Sequence, residues 1–194
     1  MGNLIGITGT PGTGKKSIAP LVASKLGLPC LSLSELAATY GLLNRGRADE
    51  EVDTKVFAKQ VAARIREPSV VYGHLLPYVL TKRSVETVVV LRCEPSALRR
   101  RLVARGYSFE KVFQNVEAEL IGVVASDSYS AFGPEKTTEF DTSDRKPDAE
   151  AKSITNRIRR IGGPRPRIDW TLHYNSAFKL RSLLSGRGTE SALT

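Results

Sequence analysis

Residues 9–17 read GTPGTGKKS, a close match to the pattern G-x-x-x-x-G-K-[ST] of phosphate-binding loops. Gly9, Gly14 and Lys15 fit it; Lys16 stands where the pattern asks for a hydroxyl, and Ser17 comes one place later. The residue types suit an oxyanion. Gly12 and Gly14 open backbone angles closed to other residues, so consecutive N–H groups around Thr13 turn inward on a phosphate. Lys15 then faces the outer phosphates, with Lys16 and Ser17 beside it.

Such a loop works only between a buried strand and the start of a helix. The apolar segment NLIGIT precedes it, and in KSIAPLVASKLG that follows, Ile18, Leu21, Val22 and Leu26 recur at helical spacing up to Gly27. Pro20 falls inside that helix and predicts a local kink. Four more strand-like segments recur: PCLSL (29–33), SVVYG (69–73), TVVVL (87–91) and TEFDT (138–142). Helical patterns separate them. Val52, Val56, Phe57 and Val61 mark one. Pro95 opens a second, with Gly106 past its end. Phe109, Val112, Phe113, Val116 and Leu120 share a face in a third, which reads on through 121–125, and KPDAEAKSITNRIRRIGG closes the series at Gly162 and Gly163. Alternating strands and helices predict an α/β fold, a five-stranded, mostly parallel sheet with helices on both faces.

The chain has 194 residues and a net charge of +9, with no apolar run long enough to span a membrane. The expectation is one domain at 1–161, no signal peptide before the first strand, and a basic C-terminal extension at 162–194. Residues 145–194 hold 11 Lys and Arg against 4 Asp and Glu, so the basic charge concentrates there and predicts an acidic partner such as RNA. In that stretch Trp170, Leu172 and Tyr174 alternate. They read either as an added strand packed on the core or as aromatic groups that stack on bases beside Arg157, Arg159, Arg160, Arg165 and Arg167; Phe178, Leu180, Leu183 and Leu184 suggest a helix after them. Cys30 and Cys93 sit in apolar segments, which predicts free thiols and a cytoplasmic location.

Placed in this order, the motifs resemble those of the adenylate kinase isoenzyme six family and its archaeal relatives. The matching stretches are ITGTPGTGK (7–15), VVYGHLLP (70–77), VVVLRCEPSALRRRLVARGYSFEKVFQNVEAEL (88–120) and DTSDRKPDAE (141–150), and the likeness covers roughly residues 1–161. It implies a P-loop, nucleoside-monophosphate-kinase-like fold with a short lid. It also implies adenylate kinase and ATPase activity, use of ATP/ADP with Mg²⁺ carried by the nucleotide, and a link to maturation of the small ribosomal subunit. By the same likeness Gly12, Thr13, Gly14 and Lys15 hold the phosphates, Arg105 reaches the transferring phosphoryl group from the lid, Lys146 borders the adenine, and His74 orients water or phosphate. On residue chemistry alone, Arg105 also reads as an exposed helix-end arginine and His74 as a buried structural histidine.

The chain departs from the family pattern at three places. Lys16 replaces a threonine, and an ammonium cannot ligate Mg²⁺. Tyr72 replaces an acid two residues before His74. Ala38 replaces an arginine that grips the phosphate of AMP, with Arg45 and Arg47 as alternatives from the following loop. Three readings follow. One is a kinase or slow ATPase acting on AMP, another nucleoside monophosphate or water. The second is an assembly factor with a weak or inactive site that binds a ribosomal protein and rRNA. The third is a kinase for another small hydroxyl substrate.

Overall fold

The computed structural model describes residues 3–42, 53–160, 167–176, 179, 180 and 183. Its elements in chain order are β1 (Leu4–Thr8), α1 (Lys15–Leu26), β2 (Cys30–Ser32), α2 (Leu33–Thr39), α3 (Thr54–Arg64), β3 (Ser69–Tyr72), α4 (Leu76–Val79), β4 (Val85–Arg92), α5 (Pro95–Ala104), α6 (Phe109–Leu120), α7 (Val123–Phe132), β5 (Thr137–Asp141) and α8 (Pro147–Arg159). The strands lie in the order β2-β3-β1-β4-β5. Among the described residues every pairing is parallel, as the predicted sheet mostly required.

Alternation along the strands builds a core on each face. Ile5 and Ile7 of β1 and Val89 and Leu91 of β4 point to one side, where they meet Ile18 and Val22 of α1 and Ala151 and Ile154 of α8. Leu4, Val88 and Val90 point to the other, against Leu33, Phe57, Val61, Leu76 and Phe132. Burial of each such side chain contributes about 1.5–3 kcal/mol. A third cluster joins Leu98 and Leu102 of α5, Val112 and Val116 of α6, Trp170 and Leu183.

Several sequence expectations change. Pro20 sits exposed inside α1, as its position in the sequence implied, and the helix continues past it to Leu26. The helical pattern over 109–125 divides, because Gly122 takes φ +71° and caps a new helix, α7. Val56 is exposed while Phe57 and Val61 are buried, so α3 buries a narrower stripe than its spacing suggests. The Trp170–Tyr174 run is a series of turns and not a strand: His173 N donates to Trp170 O and Tyr174 N to Thr171 O. Trp170 is buried and Leu172 is 70% exposed. Of its two readings the packed one is observed, and the buried indole is not available to stack on a base. Lys179, Leu180 and Leu183 are helical, as expected. Arg45, Arg47, Val52, Gly162, Gly163, Arg165, Phe178 and Leu184 lie outside the described residues. Cys30 and Cys93 are free thiols. No helix among the described residues is long and apolar enough to cross a membrane.

Candidate functional site

β1 is central, flanked by β3 and β4, and the loop that leaves its carboxyl end lies where open parallel sheets bind ligands. That loop is residues 9–14. Gly9, Gly12 and Gly14 all have positive φ, and Gly14 caps α1 in the left-handed region. Gly12 is needed twice over. Its φ is +96°, and a Cβ there would stand 2.6 Å from Leu98 Cδ1 and 3.0 Å from Leu102 Cδ2, so α5 packs directly on the loop backbone. The loop also closes on itself: Thr13 N and Thr13 Oγ1 both donate to Thr10 O, at 3.2 and 2.9 Å.

Lys15 Nζ donates to Gly9 O at 2.6 Å and to Thr10 O at 2.9 Å. The ammonium therefore rests against the loop, where an arriving phosphate oxygen competes with two carbonyls. Burial pushes the Lys15 amine down to about 7; Glu119 opposes that shift and Arg105 adds to it. His74, exposed just beyond β3, is held below its usual value by lost hydration and then by the charge of Lys15. Lys15 is thus within electrostatic reach of Arg105 and of His74. Arg105 is the exposed C-cap of α5, and His74 is not a buried structural histidine.

Lys16 and Ser17 are exposed on the first turn of α1. Tyr72 is half-buried at the end of β3 and packs on the core beneath α1 and α8. The next residue, Gly73, has no room for a side chain: a Cβ would lie 2.8 Å from Leu33 Cβ, and its carbonyl accepts from Thr8 Oγ1. Ala38 is half-buried on α2. Lys146 is the exposed N-cap residue of α8. Its loop is tied to the phosphate loop, since Thr142 Oγ1 donates to Thr13 O at 2.8 Å and Arg101 Nη2 donates to Thr142 O and Ser143 O.

Sequence reading missed a buried charged network behind the loop. Arg92 at the end of β4 pairs with Glu119 at 2.8 Å and Glu139 at 2.5 Å, and all three side chains are nearly inaccessible. Glu119 also accepts from Thr10 Oγ1 at 2.5 Å. A signal existed: Glu119 lies three residues after Val116, on the apolar face of α6, where a carboxylate needs a partner.

A family model described as an AAA domain matches residues 5–122, which hold the loop, His74, Arg105 and Glu119. The chain is 35% identical over 181 residues to the "Putative adenylate kinase" of Pyrococcus abyssi, a match that spans 89% of this chain and 93% of that protein. The chain belongs to this family. Its member from Thermococcus onnurineus is 32% identical over 89% of the chain and 93% of its own length, and that from Natronomonas pharaonis 37% over 77% and 86%. Among solved structures, the shikimate kinase of Acinetobacter baumannii in complex with shikimate superposes with a TM-score of 0.61 at 15% identity, covering 82% of the chain and 94% of that enzyme. A Bacillus subtilis protein in complex with phosphorylated GDP gives 0.55 at 20%, over 80% and 95%. These likenesses establish a shared kinase fold.

Proposed function

We propose that the protein binds ATP on the 9–15 loop and transfers its γ-phosphoryl group to AMP, with water as the slower acceptor. The observation that carries this reading is a loop at the carboxyl end of β1 whose glycines hold positive φ and whose Lys15 Nζ folds back on the carbonyls of Gly9 and Thr10. Phosphoryl transfer needs in-line positioning and positive charge around the equatorial oxygens, with little covalent help. Lys15 supplies charge from the loop, Arg105 supplies it from the end of α5, and the N-terminus of α1 at Gly14 completes the cradle. Lys146 borders the base, and His74 orients the acceptor or a water.

Mg²⁺ that arrives with the nucleotide supplies charge neutralisation between the phosphates. The chain's donors fit it only partly: Ser17 is an exposed hydroxyl in the first turn of α1, Tyr72 is a neutral phenol packed on the core, and Lys16 offers charge but no lone pair. AMP capture lacks an arginine at Ala38. Slow turnover on AMP is the consequence.

Calorimetric titration of ADP into wild type and Lys15→Met tests the site, and a coupled assay tests AMP phosphorylation. Equal affinity in the two proteins ends the phosphate-loop reading. A second reading, an assembly role in small-subunit maturation through rRNA and a ribosomal protein, is favoured by one observation. Lys152, Asn156 and Arg159 are exposed at spacing i, i+4, i+7 on α8, beside exposed Arg145, Lys146 and Arg160. A Lys152→Glu/Arg160→Glu variant should lose RNA affinity, and that affinity should fall with salt. Binding unaffected by either change rejects this reading.

A further inference from the structure

The residues beyond α8 reach the phosphate loop by two routes. The first is polar. Glu119 Oε1 accepts three hydrogen bonds, from Arg92 Nε at 2.8 Å, Cys93 N at 3.0 Å and Trp170 Nε1 at 3.3 Å, while Oε2 accepts from Thr10 Oγ1 at 2.5 Å. A carboxylate is rigid and planar, so three donors on one oxygen fix the direction in which the other meets Thr10. Thr10 is the hub of the loop: its carbonyl accepts from Thr13 N, Thr13 Oγ1 and Lys15 Nζ. Thr10, Glu119 and Trp170 are all buried, so water does not replace a lost partner. The same segment touches the network again where Arg92 Nη1 donates to Ile168 O at 2.9 Å and Ile168 N to Glu139 Oε2 at 3.3 Å.

The second route runs through α5. Tyr174 Oη donates to Glu94, whose carboxylate caps α5 by accepting from Ala97 N at 2.9 Å. α5 is the helix whose Leu98 and Leu102 fill the space above Gly12 and whose end carries Arg105. Trp170 and Tyr174 therefore hold the loop from behind and from above.

We infer that Trp170 and Glu119 are positioning residues for the phosphate loop, and that the C-terminal segment sets nucleotide affinity through the Trp170–Glu119–Thr10 chain of hydrogen bonds. The inference rests on the reading of the 9–15 loop as a nucleotide site and names what controls it. Electrostatics supports it: Arg92 faces two carboxylates, Glu119 and Glu139, and the charge of Glu119 acts on Lys15, opposing the shift that burial imposes. Loosening Glu119 therefore alters both the geometry of Thr10 and the field at Lys15.

The test uses the full chain and ADP without Mg²⁺, so that the proposed reaction does not convert two ADP to ATP and AMP. Trp170 is the only tryptophan, so its emission reports this one position. In wild type the emission should shift on ADP addition with the midpoint found by calorimetry. Trp170→Phe keeps a ring and drops the donor; Thr10→Val keeps shape and drops the hydroxyl. Each should weaken ADP binding by about three- to tenfold, the range for one lost buried hydrogen bond. The double variant should lose less than the product of the two, because both act through Glu119. Thr10→Val retains the fluorophore, and its ADP-induced shift should shrink even if Trp170→Phe folds poorly. A purely structural role would lower melting temperatures without coupling the two affinities. If wild type binds ADP but its emission is unmoved and the two effects multiply independently, the relay is overturned while the nucleotide site stands. If wild type binds no ADP, the site reading fails and takes this inference with it.

Discussion

The depressed Lys15 amine makes nucleotide binding a proton-linked event. In the free protein burial holds this lysine at about 7, against 10.5 for the ordinary side chain. A bound phosphate favours the ammonium and draws the value back up. Near pH 8 about nine in ten free molecules then carry a neutral Lys15, and ADP binding takes up about 0.9 proton. Affinity should fall as pH rises, by about 25-fold from about pH 7.5 to about pH 9, because only the protonated fraction binds without an added cost. Nucleotide phosphates, with a second pKa of about 6, contribute little in that window. The linkage has the opposite sign for the empty protein. Its folded lysine holds fewer protons than the unfolded chain between about 7 and 10.5, so this residue's contribution to stability rises with pH across that window, and its penalty is fully present below it. Calorimetry in buffers of different ionisation enthalpy measures the proton uptake directly. Lys15→Arg, which does not titrate here, should flatten the pH profile. Heats independent of buffer near pH 8, together with an affinity that changes less than about twofold over the range, would refute the argument, since the linkage requires both.

Other expectations are as direct. Gly12→Ala forces a Cβ to 2.6 Å from a Leu98 methyl at φ +96°, and should cost of order 1–3 kcal/mol in thermal unfolding along with most ADP binding. Arg92→Met leaves Glu119 and Glu139 buried without their cation and should lower stability by about 3–5 kcal/mol, read by denaturant titration. Lys16→Thr with Tyr72→Asp should raise AMP phosphorylation by about tenfold, equivalent to ~1.4 kcal/mol at the transition state; no gain in a coupled assay counts against the account of the altered metal shell. A chain ending at Gly163 loses buried Trp170 and Leu183, and circular dichroism melts should show a loss of at least about 3 kcal/mol.

The sheet was legible because doubly covered parallel strands read as short apolar runs, and each observed strand falls within a residue or two of its segment. The loop was legible because its geometry demands glycine. Short elements were not. α4 is four residues long with Pro77 inside it, too brief for a helical period, and α7 hid because the apolar pattern continues across Gly122. At the candidate site the charged groups of the loop motif and the surface were found and the network behind them was not: Arg92, Glu119 and Glu139 look like ordinary solvated charges until the fold encloses them. Trp170, Leu172 and Tyr174 alternate as a strand would, yet they lie in successive turns, with the first buried and the second facing water. Periodicity over three aromatic or apolar residues does not separate these cases.

The contacts that complete the phosphate loop impose an order on its maturation during synthesis. Residues 9–15 are made first, yet Thr10 waits for Glu119, Thr13 waits for Thr142, and Glu119 in turn waits for Trp170. β1 itself pairs on both sides with strands translated much later, β3 and β4. Pairings at such separations close slowly, since the intervening chain must be ordered before any contact repays the loss. A nascent chain arrested anywhere before Trp170 would therefore carry the loop's complete sequence with its supports unfinished. Competence to hold a nucleotide would appear late and abruptly, as the last quarter of the polypeptide docks.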